Sequence, residues 1–302
     1  MKKILIIGSA CADIIINLED HLPVSGEDVH VRSQQMSLGG CAYNVSDAVR
    51  HTGAPYILFT PVGTGIYGDY IRREFALRGL STPIPTPDMD NGCCYCFVEK
   101  SGERSFVSYH GAEYRFRKEW FSLLEPDDID MVYICGLEIE ESTGEVIVSF
   151  LEENPHFMVF FAPGPRLGRI SPQLLERLYR LSPVLHLNET EALEAGAADS
   201  VPEAVKHLQR LTSNTVLVTL GERGCYYHDM NSSGIIPAVK TIQKDTIGAG
   251  DAHIGTVIGC LKLGASLPEA ILKANRISAA VVSIAGSLLS DEDARSILHK
   301  PL

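Results

Sequence analysis

The chain has 302 residues, 45% of them apolar and 21% charged, an ordinary globular composition in which no apolar run reaches the roughly 18 residues of a membrane-spanning helix. Twenty-six basic residues against 38 acidic ones leave a formal charge of −12, which argues against a nucleic-acid or anionic-membrane partner, since either wants a basic face. An anionic nucleotide would then need a local positive site, such as a helix N-terminus or a metal ion.

Met1-Lys2-Lys3 and the short apolar run Ile4–Ile7 are too brief for a secretory signal. Lys3–Gly8 reads as a buried first strand, and the cytoplasm as the expected location. Asp13–Leu18 and Val29–Ser37 read as two further strands, joined through the turn-forming Leu22-Pro23-Val24-Ser25-Gly26. A helix is expected from Asn44 onward and is stopped by Gly53-Ala54-Pro55. Tyr56–Val62 is an apolar strand, Tyr70–Leu77 a helix closed by Gly79, and Thr82–Pro87 an extended stretch. Cys93–Glu99 and Phe106–Tyr109 flank Lys100-Ser101-Gly102-Glu103 as a hairpin.

From Met131 the rhythm changes. Strands at Met131–Cys135, Phe157–Ala162, Val184–Leu187 and Thr215–Thr219 alternate with helices at Gly144–Leu151, Leu174–Leu181 and Val201–Leu211. Short apolar strands between amphipathic helices mark βαβ units and a buried parallel sheet. No repeat or Gly/Ser linker interrupts the pattern. The expected fold is therefore α/β, one doubly wound domain over 1–302, with the strands at roughly 13–37 and 92–110 leaving its main sheet.

Eight cysteines are scattered through mostly apolar surroundings, and reduced thiols are the expectation for such a chain. Cys93 and Cys96 form a Cys-x-x-Cys, but no second ligand pair is spaced for zinc, and the run suits a β-strand. Gly63-Thr64-Gly65-Ile66-Tyr67-Gly68 fits a dinucleotide fingerprint. It follows the second helix–sheet unit instead of opening the first, and no strand-end acid follows at the expected distance, so NAD is not the expected ligand. No P-loop motif occurs.

The chemistry centres on Asp245-Thr246-Ile247-Gly248-Ala249-Gly250-Asp251, followed by the apolar run Ile254–Leu263. Gly248 and Gly250 allow a tight turn and close approach to a ligand. Unsatisfied N–H groups and the helix dipole at the start of the following helix attract an anion. Asp251, at the mouth of such a site, could take a proton from a nucleophile attacking a phosphate. The same pattern also suits an ordinary strand-to-helix turn with Asp251 as N-cap.

This stretch resembles the second signature of the ribokinase-like (PfkB) carbohydrate kinases, D-T-x-G-A-G-D. Companions occur in the family's order. Leu38-Gly39-Gly40-Cys41-Ala42-Tyr43-Asn44 resembles the first, sugar-touching signature. Asn188-Glu189-Thr190-Glu191 resembles N-x-x-E, and Thr219-Leu220-Gly221 with Gly224 resembles the nucleotide-binding T-L-G-x-x-G. The family's V-G-x-D-x-x-G is met here by Val62-Gly63-Thr64-Gly65-Ile66-Tyr67-Gly68, without its Asp.

The resemblance implies an ATP- and Mg²⁺-dependent kinase acting on a sugar hydroxyl. Asp251 would be the base, with an anion hole at 248–251 that includes Gly248, Ala249 and Gly250. Asp13, Gly39, Gly40 and Asn44 would hold the sugar. Asp13 also lies just past a strand end, where a carboxylate can accept from two adjacent hydroxyls. Glu138 matches a substrate-contacting Glu, although with Glu140 and Glu141 it equally suits a solvated helix start. Asn188 and Glu191 could orient waters around Mg²⁺ or simply cap a helix. Thr219, Gly221 and Gly224 would approach the nucleotide phosphates, and Asn275 the adenine edge, unless it is an exposed helical Asn. Asp245, Ile247, Val281, Gly286 and Ser290 lie where ribokinases bind a monovalent cation such as K⁺, largely through backbone carbonyls, a kind of ligation that leaves little trace in sequence. The 13–37 and 92–110 strands would form a lid, often a homodimer contact.

Three further positions depart from the family. His253 replaces an aromatic and is expected to be packing. Cys41 and Tyr43 replace a Lys and a small residue, which weakens the case for ribose. Tyr43 could face a base, so a nucleoside kinase (pseudouridine-, adenosine- or inosine-like) is the alternative. A non-catalytic sensor and a dinucleotide oxidoreductase are the other classes, and the intact Asp251 and motif glycines argue against the first.

Overall fold

The computed structural model describes residues 1–284, 286 and 288–300; residues 285, 287, 301 and 302 of the expected domain lie outside it. In chain order its strands are β1 (Lys3–Ile7), β2 (Cys11–Leu18), β3 (Val31–Gly39), β4 (Tyr56–Phe59), β5 (Cys93–Val98), β6 (Arg104–Tyr109), β7 (Ile129–Cys135), β8 (Met158–Ala162), β9 (Val184–Asn188), β10 (Val216–Thr219), β11 (Cys225–His228) and β12 (Ser233–Ile236).

The run Ile4–Ile7 is the hub of the main sheet. Leu5 and Ile7 enter one apolar core and Ile4 and Ile6 the other, as the twofold alternation of a strand requires. Both faces are therefore buried, which is why this strand reads as an unbroken apolar run. The main sheet has eight strands in the order β12-β11-β10-β9-β8-β7-β1-β4. Strands β4 through β10 in that row pair in parallel, and β11 and β12 add an antiparallel edge. The chain leaves β1 for β4 on one side and later resumes at β7 on the other, so the row reverses beside β1. Ligands in such sheets bind outside the carboxyl ends of the strands near that reversal.

One core holds helices Gly144–Glu153, Pro172–Arg180 and Val201–Thr212, and the other holds Cys41–Thr52, Ala249–Lys262 and Leu267–Val281. Gly255 and Gly259 interrupt the apolar run of helix Ala249–Lys262 at its contact with helix Cys41–Thr52. A Cβ on Gly255 would lie 2.7 Å from the Val45 carbonyl oxygen, and one on Gly259 would lie 2.3 Å from Thr52 Oγ1. Larger residues would push the two helices apart.

The remaining strands form a separate four-stranded sheet, β3-β2-β5-β6. Strand β2 runs parallel to β5, and the two outer pairs are antiparallel.

The expected elements are found with shifted ends. The first helix begins at Cys41, ahead of Asn44, because Gly40 (φ 101°) takes the N-cap position. The second begins at Gly65, ahead of Tyr70, because the glycine-rich run supplies its first turn. That run is packed internally: Gly63 N–H donates to Asn91 Oδ1 at 2.5 Å, and a Cβ on Gly68 would strike the Gly63 carbonyl. Cys93–Val98 is a strand with both Cys93 and Cys96 buried, and all eight cysteines are unpaired. The helix Glu189–Gly196 follows the Asn188 and Glu191 cap that the sequence offered, whereas the antiparallel hairpin β11–β12 and the helix Asp291–Leu298 were not anticipated. No helix among the described residues is long and apolar enough to cross a membrane.

Candidate active site

Gly248 takes a left-handed conformation (φ 74°) and N-caps helix Ala249–Lys262, a backbone that costs a glycine little. Ala249 N–H turns back to the Thr246 carbonyl at 3.3 Å. The next two amides, of Gly250 and Asp251, donate to nothing among the described residues. They are the unsatisfied donors of a helix start, and the space beside Gly250 is open.

Asp251 lies in the first turn of this helix, partly buried. Its Oδ2 accepts from Asn44 Nδ2 at 2.9 Å. Burial raises its pKa to about 6; the Asn44 hydrogen bond pulls the other way, and the nearby negative Asp13 adds to the rise. Asp13, near the start of β2, is also raised to about 6 by burial, with the Cys11 thiol opposing. Two carboxyls thus face one region, each poised to change ionisation near neutral pH.

A cavity of about 240 Å³ opens over Asp251. Cys135, Ala162, Asn188 and Thr219 line it from the carboxyl ends of β7, β8, β9 and β10, with Cys41, Arg166, His186, Glu191 and Gly250. A second cavity of about 480 Å³ lies on the other side of Gly250. Its walls include Thr219, Gly221, Gly224, Lys240, Gln243, Thr246, His253 and Asn275. Thr219 and Gly250 border both. Two chambers therefore meet at the unsatisfied amides, one with a carboxylate and one large enough for a nucleotide.

A family model for pfkB family carbohydrate kinases matches residues 1–294. The chain belongs to that family. This pfkB carbohydrate kinase is 32% identical over 289 residues to the uncharacterized sugar kinase YegV of Escherichia coli (strain K12), spanning 94% of this chain and 90% of the relative. Its fold is similar to the ribokinase of Thermotoga maritima, with a TM-score of 0.85, 22% identity and 99% of each chain covered. It is likewise similar to the ribokinase of Cryptococcus neoformans var. grubii serotype A in complex with ADP, with a TM-score of 0.80, 22% identity and 98% of each chain covered.

Other expected site residues of this pfkB kinase are placed as follows. Gly39 backs onto Asp13: a Cβ there would lie 2.0 Å from Asp13 Oδ2. Gly40 packs against the Ser9 carbonyl in the same way. Asn188 and Glu191 form a reciprocal capping box at the start of helix Glu189–Gly196. The Glu191 amide donates to Asn188 Oδ1 at 2.9 Å, and the Asn188 amide to Glu191 Oε2 at 2.9 Å. The helix cap and the cavity wall are thus the same two residues. Thr219 donates its hydroxyl to the Leu187 carbonyl, and Gly221 and Gly224 (φ 59° and 101°) shape the turn after β10.

Several expectations need correction. Glu138 does not belong to a solvated helix start: it is fully buried, its Oε1 accepts the Ser9 amide at 2.8 Å, and its Oε2 has no hydrogen-bond partner among the described residues. Burial raises its carboxyl to about 7. Asn275 is not an exposed helical residue: it is buried in the wall of the larger cavity, where Nδ2 donates to the Ile236 and Pro237 carbonyls at 2.9 and 3.0 Å. Tyr43 does not face a base: it is buried in the core, stacked 6.3 Å from Phe75. Of the Asp245, Ile247, Val281, Gly286 and Ser290 set, Asp245 is held by Arg104 and by the Ile247 and Gly286 amides, the Val281 side chain is buried in an apolar cluster, and Ser290 caps its own helix.

His253 is core, as expected, but it is also a hydrogen-bond relay. Its Nε2 meets Asn275 Oδ1 at 3.1 Å, and its Nδ1 meets His186 Nε2 at 3.0 Å. Because Asn275 Nδ2 is spent on carbonyls, its Oδ1 accepts, so His253 carries its proton on Nε2 and His186 donates to His253 Nδ1. Burial lowers His253 to about 4 and pushes His186 well below the usual range, so both rings are neutral. Sequence reasoning missed His186, although a histidine inside an apolar strand was a signal. It also missed Arg166, in Pro163-Gly164-Pro165-Arg166 just beyond β8, which the strand-end rule could have found.

Proposed function

We propose that this chain transfers the terminal phosphoryl group of ATP to a hydroxyl of a sugar bound in the Asp251 cavity. The observation that carries the reading is the pairing of a partly buried carboxylate with two amides that have no partner among the described residues, at the junction of two cavities. In this reading ATP fills the larger cavity, between the turn after β10 and helix Leu267–Val281, with its terminal phosphate against the amides of Gly250 and Asp251. Asp251 takes the hydroxyl proton as the acceptor oxygen attacks phosphorus. The fixed amides and the positive end of the helix dipole stabilise the charge gathering on the phosphoryl oxygens. Asp13 and Asn44 hold and orient the sugar, and Gly39 and Gly40 let its pocket close tightly. Arg166, whose Nε lies 3.2 Å from Glu140 Oε2, also lines this cavity.

Asn188 and Glu191 line the Asp251 cavity, and the lone pairs that their capping-box hydrogen bonds leave free on Asn188 Oδ1 and the Glu191 carboxylate would hold a water-linked Mg²⁺. Bound there with ATP, the ion would neutralise phosphate charge. The small sheet serves as a lid over the sugar, part of one kinase domain, and excludes water that would otherwise hydrolyse ATP. Phe106, Val107 and Tyr109, exposed on its outermost strand, support a homodimer formed through that sheet. Eight unpaired cysteines support a cytoplasmic setting.

Asp251→Asn keeps the shape and removes the base. Loss of a general base costs about 10²–10⁴ in rate, so ATP-dependent phosphorylation across a panel of sugars and nucleosides should fall at least a hundredfold. Turnover near the wild-type rate would end the proposal.

A further inference from the structure

Asp245 heads the signature, and its surroundings are unlike a cation site. Its Oδ1 accepts from Arg104 at 2.5 Å and from the Ile247 amide at 2.8 Å, and its Oδ2 accepts the Gly286 amide at 3.3 Å. A monovalent cation needs oxygen acceptors, yet Gly286 aims an N–H at the site. The Val281 carbonyl accepts the Ile284 amide, and Ser290 Oγ accepts the Asp293 amide at 3.1 Å. Asp245 thus already has three donors from the chain, and the Val281 and Ser290 oxygens each hold a bond of their own. What stands at the carboxylate is a guanidinium from the first residue of β6, 141 positions away in sequence. Both partners are largely buried, with side-chain exposures of 21% for Arg104 and 10% for Asp245.

We propose that Arg104 supplies, as a side chain, the positive charge that a monovalent cation would otherwise bring to Asp245, and that it thereby fastens the small sheet to the loop presenting the Gly250 and Asp251 amides. Arg104 is a positioning residue in this scheme. Three links run from Asp245: to the small sheet through Arg104, to its own loop through Ile247, and to the segment after helix Leu267–Val281 through Gly286. The loop then enters Gly248 and the unsatisfied amides within a few residues. A guanidinium is always charged and cannot diffuse away. The site is therefore complete without dissolved cations, and it is complete only while the small sheet lies against the loop.

The inference rests on the phosphotransfer reading, and its test separates the two. Wild type, Arg104→Met and Arg104→Lys are compared in tetramethylammonium chloride and in potassium chloride at equal ionic strength. Melting temperature is one readout, and phosphorylation of whichever panel compound turns over is the other. Wild type should show the same melting temperature and the same kcat in both salts. Arg104→Met should lose at least tenfold in kcat with little change in KM for ATP, and potassium or added guanidinium should restore part of that loss. Potassium should also raise its melting temperature above the tetramethylammonium value, while Arg104→Lys should stay indifferent to potassium. A wild-type enzyme stimulated severalfold or specifically stabilised by potassium overturns the proposal, and that arm needs no variant to fold. An Arg104→Met protein that matches wild type, or that is impaired and answers neither cation, also overturns it. If nothing on the panel is phosphorylated, the phosphotransfer reading fails while the melting comparison still decides the role of Arg104.

Discussion

Asn44 and Asp251 lie 207 residues apart in sequence and share one 2.9 Å hydrogen bond. Asn44→Leu removes that donor at nearly constant volume. A hydrogen bond to a charged group contributes about 1.5–3 kcal/mol. Protonating Asp251 would forfeit about 1.4 kcal/mol of that, which corresponds to about one pKa unit. The Asp251 carboxyl, at about 6 in the wild type, should therefore titrate near 7 in the variant. At pH 6 its ionised fraction would drop from about one half to about one tenth, and at pH 8 it would barely change. The assay is kcat/KM for phosphorylation from pH 5 to 9, whose acid limb reports the free enzyme's base. Lost sugar contacts would lower the whole curve, whereas a lost carboxylate partner moves its limb. Asp13→Asn is the opposite control, because the Asp13 charge pushes Asp251 upward; its limb should move toward acid. An Asn44→Leu profile whose limb stays within about 0.3 units of wild type would refute the reasoning.

His253→Phe should destabilise the fold by about 2–5 kcal/mol, because it strands the His186 donor and the Asn275 acceptor, at about 1–3 kcal/mol each. Urea unfolding at pH 7.5 reads this, and an unchanged midpoint would contradict the relay. The same ring makes wild-type stability fall in acid. Its folded pKa of about 4 lies below the ordinary 6.5, so the unfolded chain binds the proton more readily. The contribution is whole above pH 6.5 and is lost, up to about 3 kcal/mol, as pH falls toward 4. Glu138 has the reverse sign. Its folded pKa near 7 exceeds the ordinary 4.5, so its protonated form stabilises the fold below pH 4.5 and that stability is lost as pH rises through 7. Glu138→Gln should therefore gain about 2–3 kcal/mol relative to wild type between pH 5 and pH 8; parallel stability curves for the two proteins would disprove it.

Local patterns carried most of the fold. The apolar runs at β1, β7, β8 and β9 announced a sheet buried on both faces, and Gly53 and Gly79 ended the helices they were expected to end. The antiparallel pair β11–β12 escaped because Cys225–His228 is short and mixed, and pairing decides such strands more than composition does. In the site, the signature glycines and Asp251 were legible because backbone geometry demands particular residues there. Side-chain partnerships were not legible. Nothing local to Glu138 says that its carboxylate turns inward to Ser9, and nothing near Asn275 says that its amide is spent on two carbonyls. Arg104 and Asp245 meet only because the small sheet lies against the loop that precedes helix Ala249–Lys262. Such contacts are set by tertiary packing, so a motif can name a residue correctly and still misjudge what it touches.

The shared wall at Thr219 and Gly250 has a consequence for ligand design. Two fragments, one shaped for each chamber, would become a single inhibitor if joined by a spacer the length of a phosphate bridge bent around residue 250. Tethering would make the second capture intramolecular and multiply the weaker fragment's grip without any new contact. Because backbone at Gly250 borders both chambers, substitutions that weaken such a compound would have to alter the same wall that the proposed transfer needs.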